Sequence, residues 1–132
     1  MRPAHEQRPA DAQQLVLSRE QLQVVLGQLR EADAGIDDDA RMAAKTMALK
    51  IYYALDEHEV LYAHLEAFVK YIRRKPGLGY HRQNYLTLAR YTQKLLALNW
   101  NDKNEVLALR EKIEAEKALT ERDWLLEQLA RS

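Results

Sequence analysis

Apolar residues recur every three or four positions along most of the chain, and the pattern is sharpest from Asp56 to Leu98. Leu61, Leu65, Phe68 and Ile72 form one apolar line with Val69 beside it, while His58, Glu59, Glu66, Lys70 and Arg73 fill the wetter face. That spacing predicts an amphipathic helix. Asp56 and Glu59 have the spacing of a capping box, with Leu55 and Val60 at the positions of a hydrophobic staple. Arg73-Arg74-Lys75 places cations at the negative end of the helix dipole, and Pro76-Gly77 then ends the helix. A return helix begins near Tyr80 and carries Tyr85, Leu88, Thr92 and Leu95 on its apolar line. The join at Lys75-Pro76-Gly77-Leu78-Gly79 is short, so the two helices are expected to be antiparallel neighbours. Leu65, Phe68 and Ile72 should meet Leu88, Tyr91 and Leu95.

The same reading extends on both sides. Leu15, Leu22, Leu26 and Leu29 share one face of an earlier helix, which could open at Asp11 or at the capping box Ser18-Arg19-Glu20-Gln21. Gly27 weakens that helix slightly, and Ala34-Gly35 ends it. A second helix is expected from about Ala40 to Leu55, with Ala44, Met47, Ala48, Ile51 and Leu55 inward. Beyond the central pair, Asp102 with Glu105 forms another capping box ahead of Val106, Leu109 and Ile113. Thr120, followed by Asp123, suggests the cap of a last helix, with Leu119 and Trp124 as its staple. The sum is an all-α chain of five to six helices, an antiparallel bundle or a short array of helical hairpins. Residues 1 to 10 are polar, carry two prolines and read as a flexible N-terminal tail. Residues 11 to 132 read as a single all-α domain.

Composition narrows the picture. The 132 residues are 47% apolar and 30% charged, a globular balance, with only four glycines and three prolines to interrupt helices. A chain of this length can bury roughly two-thirds of its unfolded surface. Lys plus Arg and Asp plus Glu number 20 each, so no whole-molecule field favours nucleic acid or an anionic membrane. Cysteine is absent, which excludes disulfides, thiolate metal sites and a cysteine nucleophile. No signal peptide is visible and no apolar run is long enough for a membrane helix, so the expected location is cytoplasmic.

Ala48-Leu49-Lys50-Ile51-Tyr52-Tyr53, Leu65-Glu66-Ala67-Phe68 through Ile72-Arg73-Arg74, Arg82-Gln83-Asn84-Tyr85-Leu86 and the closing Asp123-Trp124-Leu125-Leu126-Glu127 carry a resemblance. With these motifs the segment from about Arg41 to Leu129 resembles the C-terminal helical tail of large uncharacterised bacterial proteins, mainly of Bacteroidetes type. Ala89-Arg90-Tyr91 stands where that family tends to have a Phe-containing segment. The resemblance implies a helical-repeat-like end of a longer protein. It brings no activity and no functional residue with it.

Candidate chemistry is sparse. His58 and His64 are six apart, about 120° around a helix, whereas zinc on one helix face wants the four-residue spacing of His-Glu-x-x-His. Asp37-Asp38-Asp39 lacks the alternating ligands, central Gly and closing Glu of a calcium loop and reads instead as an acidic helix start. No Gly-rich phosphate loop or nucleophile elbow occurs. The expectation is therefore a non-enzymatic protein-interaction or structural helical module, with the terminal part of a larger assembly as one form it could take; a protein partner or self-association is expected, and no cofactor, metal or membrane. Two surfaces are the candidates. One is the Tyr52/Tyr53 side of the second helix, where aromatics cover a wide arc. The other is the basic hairpin tip, with Arg73, Arg74 and Arg82 foremost. Lys70, Arg73, Arg74, Lys75 and Arg82 lie there among tyrosines, and the alternative function is nucleic-acid binding through this tip. Trp100, in a loop, is a further candidate contact.

Overall fold

The computed structural model describes residues 18–33 and 38–131. The tail expected at residues 1 to 10, a helix start at Asp11 and the Ala34-Gly35 stop lie outside them. Among the described residues there are six α-helices and no strand, as the apolar periodicity predicts. They are α1 (Arg19–Asp33), α2 (Asp38–Ala54), α3 (His58–Arg74), α4 (His81–Ala97), α5 (Lys103–Ala115) and α6 (Arg122–Ala130). The chain divides into two compact units between Glu57 and His58.

In the first unit α1 packs on α2. The Ser18 capping box forms in full: the Gln21 amide donates to Ser18 Oγ at 3.1 Å, and the Ser18 amide donates to Gln21 Oε1 at 2.8 Å. Leu26 is buried, and α2 is buried over a wide arc through Met42, Ala44, Leu49, Ile51, Tyr52 and Leu55. Met47 is the exception to the inward set, at 44% exposed; Leu49 takes the buried place instead. Thr46, also buried, satisfies its hydroxyl by donating to the Met42 carbonyl one turn back at 2.8 Å.

The end of α2 corrects one expectation. Asp56 does not open α3. It has φ 58°, in the left-handed region, whereas an N-cap residue is extended. The Asp56 amide donates to the Tyr53 carbonyl and the Glu57 amide to the Tyr52 carbonyl, each at 3.1 Å. Those two bonds are the Schellman closure of a helix C-terminus, with Asp56 in the place glycine usually takes. The staple fails with the cap, since Leu55 is buried but Val60 is 42% exposed. Two carbonyls needing partners at the end of α2 decide the backbone before α3 can use the Asp56 side chain.

The second unit holds α3 to α6. α3 packs on α4, α5 on α6, and α4 also meets α6. α3 buries one narrow stripe, Leu61, Leu65, Phe68 and Ile72. α4, with two neighbours, buries a broad band that includes Thr87, Leu88, Ala89, Tyr91, Thr92 and Leu95. Phe68 meets Tyr85 edge-on with ring centroids 6.2 Å apart. Gly77 and Gly79 in the connection both have positive φ, 82° and 58°, which explains why this tight link needs two glycines.

Asp102 caps α5 as expected, accepting from the Asn104 and Glu105 amides. Glu105 reaches back to the amide of Asn99 at 2.8 Å, three residues before the one a capping box would use. The Thr120 cap does not form. α6 begins at Arg122, and the preceding Glu121 has φ 63° and makes no side-chain cap bond. The Thr120 amide instead donates to the Asn84 carbonyl on α4 at 3.5 Å, so contact with α4 sets this turn.

Candidate interaction surface

The three helix pairs share a fastening that residue spacing does not reveal. The last carbonyls of an α-helix have no partner within it, and a guanidinium presents several donors in a planar fork. In the first unit, Arg19 at the head of α1 donates to the Leu55 carbonyl at the tail of α2 at 3.0 Å and pairs with Glu57 at 3.5 Å. In the second unit, Arg82 in the first turn of α4 donates to the Ile72, Arg73 and Lys75 carbonyls that end α3. Arg122, the first residue of α6, donates to the Ile113 and Glu114 carbonyls that end α5. Each arginine ties the head of one helix to the tail of its antiparallel partner.

This fastening changes the candidate surfaces. Arg82 belongs to the hairpin closure, so it is withdrawn from the basic tip. Arg73 and Arg74 remain exposed. Beside them at the tip Tyr80 is 77% exposed, its ring 4.1 Å from that of His81. Tyr52 is also withdrawn: it is 8% exposed, and its hydroxyl accepts from Arg30 at 3.2 Å. Tyr53 is half-buried, as is Trp100 in the turn between α4 and α5. Tyr52 and Tyr53 lie in the first unit, whereas Arg73, Arg74, Arg82 and Trp100 lie in the second.

A groove that the periodicity argument passed over runs along the outer side of the α3–α4 hairpin, with a volume of about 770 Å³. From α3 come Tyr62, Glu66, Val69, Lys70 and Arg73. Across from them stand Gln83, Leu86, Ala89, Arg90 and Gln93 of α4. Tyr62 is 46% exposed despite its large ring. The signal was present in the sequence: positions 62, 66, 69, 70 and 73 follow helical spacing beside the buried stripe, and Lys70 and Arg73 mix with apolar residues there. A smaller recess of about 260 Å³, lined by Lys94, Leu98, Glu105 and Lys112 among others, lies between α4 and α5.

The α4 side of the groove is anchored through Arg90, which pairs with Glu116 at 3.1 Å and lies over the Tyr91 ring. The Tyr91 hydroxyl donates to the same Glu116 carboxylate at 2.7 Å. Burial pushes the Tyr91 phenol above its ordinary value of 10.0, and the Glu116 carboxylate raises it further against the opposing effect of Arg90. Glu116 lies just after α5, so this pair of bonds holds the α5–α6 connection against α4.

Among the described residues no group of three or more His, Asp or Glu side chains could hold a metal ion. No described helix is long and apolar enough to cross a membrane. No protein-family model, curated protein or solved structure matches the chain.

Proposed function

We propose that this chain is a non-enzymatic helical interaction module that serves as the terminal part of a larger assembly, in the cytoplasm. The α3–α4 groove carries the reading: it keeps a tyrosine and two aliphatic side chains within reach of solvent on a hairpin whose own core is already filled. Other large apolar residues are as exposed as Tyr62, and its place in the groove sets it apart, since there its ring offers a docking partner an aromatic anchor. The test is solution mass by light scattering over a concentration series, followed by affinity capture with nuclease present. The unmodified chain and Tyr62→Glu are compared. Self-association or a captured partner that Tyr62→Glu abolishes supports the module. Identical behaviour of both proteins counts against it.

Nucleic-acid binding at the basic tip is the second reading, supported by the exposed Tyr80 beside Arg73 and Arg74. It is the weaker, because Arg82 is committed to the carbonyls of α3. Binding of a labelled oligonucleotide that falls steeply with salt, and falls again in Arg73→Ala/Arg74→Ala, would favour it.

A further inference from the structure

Resting on the interaction-module reading, we infer that the α3–α4 groove takes an acidic amphipathic helix from another protein. Charge makes the selection. The chain as a whole has 20 cationic and 20 acidic residues, yet the groove walls carry Lys70, Arg73 and Arg90 against one acid, Glu66. Arg90 shares its charge with Glu116, so Lys70 and Arg73 define the positive edge. Shape makes the second selection. From Tyr62 to Arg73 the α3 wall spans three turns, about 16 Å at 1.5 Å per residue. A helix of three to four turns could lie along it, with its apolar stripe on Tyr62, Val69 and Leu86 and its carboxylates opposite Lys70 and Arg73. The two glutamines, Gln83 and Gln93, sit on the α4 wall where a helix of either charge would be tolerated, so the α3 wall does the discriminating.

The test is selection of a displayed library of helical peptides, each about 18 residues long, against the whole chain. Individual winners are then titrated by fluorescence anisotropy. The expected winners combine an apolar stripe with Asp and Glu flanks. They should weaken at least about tenfold on Lys70→Glu/Arg73→Glu and weaken with rising salt. Tyr62→Ala should weaken them without changing the charge preference. Far-UV circular dichroism of each variant checks that the hairpin is intact. The proposal is overturned if no peptide is enriched, if the winners are not acidic, or if charge reversal leaves their affinity unchanged. It is also overturned if the chain dimerises and Lys70→Glu/Arg73→Glu dissolves the dimer, because the groove then receives a second copy. In that last case the interaction module survives while the acidic-helix partner does not.

Discussion

The two hairpins of the second unit are closed by the same device and differ in what else supports them. α3 and α4 are 17 residues each, joined across a stripe that contains Leu61, Leu65, Phe68 and Ile72. α5 and α6 have 13 and 9 residues and bury half as many side chains as the long hairpin: Leu109 and Ile113 on one helix, Leu125, Gln128 and Leu129 on the other. Arg82 serves three carbonyls and Arg122 two. The shorter hairpin compensates by leaning on α4, through Tyr91 and Arg90 to Glu116 and through the Thr120 amide to the Asn84 carbonyl. The long hairpin therefore closes over the larger buried stripe, while the short one adds bonds to α4 to its own packing.

The largest expected effect comes from the core of the long hairpin. Phe68→Ala should cost about 3–5 kcal/mol, because Phe68 is fully buried against Tyr85 and its removal leaves a cavity. Chemical denaturation checks this. Since the short hairpin is bonded to α4, both hairpins should lose stability together. A separate early transition of α3–α4, with α5–α6 intact, would break the comparison. Next come the clasps. Arg82→Met and Arg122→Met keep the aliphatic stem and remove the donors, at about 1.5–3 kcal/mol for lost bonds to a charged group. Arg82→Met is expected to be the costlier, and equal costs would mean that the third carbonyl contributes nothing.

Tyr91→Phe should cost about 1–2 kcal/mol by removing the phenol's bond to the Glu116 carboxylate. Hydrogen exchange should then accelerate in α5 and α6 more than in α3. The pH dependence has a definite sign. The folded-state pKa lies above the unfolded 10.0, so the stability contributed by the neutral phenol is whole below pH 10. It is lost as pH rises through the folded value. Tyr91→Phe should remove that part of the alkaline decline and leave the acid side unaltered by this group. The smallest effect lies in the other unit and serves as a control. No atom lies within 4 Å of where a Cβ would sit on Gly27, so Gly27→Ala should stabilise α1 by up to about 1 kcal/mol. Exchange rates in both hairpins should stay as they were.

These contrasts also mark what was legible in the sequence. The helical class and a count of five to six helices follow from apolar spacing, which reports burial along one face, and the α3–α4 pairing from the short join between Lys75 and Gly79. The Ser18 and Asp102 caps were legible because each bonds only to its own first turn. The caps assigned to Asp56 and Thr120 failed because other partners were nearer: the tail of α2 claims the Asp56 backbone, and α4 claims the Thr120 amide. Arg82 looked like free surface charge because its acceptors are peptide carbonyls, which leave no trace in side-chain composition. Tyr52 seemed available for the same kind of reason, since its hydroxyl is met by Arg30, 22 residues away. The groove escaped notice because it belongs to two helices at once, and a helical period describes one.

The clasps carry a further implication for ionic strength. Each joins a guanidinium to neutral peptide carbonyls within one hairpin, whereas the seam between α4 and the short hairpin runs through a partly exposed ion pair, Arg90 with Glu116. Dissolved ions screen exposed charge pairs and leave bonds to carbonyls largely in place. Concentrated salt should thus leave both hairpins folded back on themselves and loosen the seam, giving a form with near-native helix content and a freer segment from Lys103 onward.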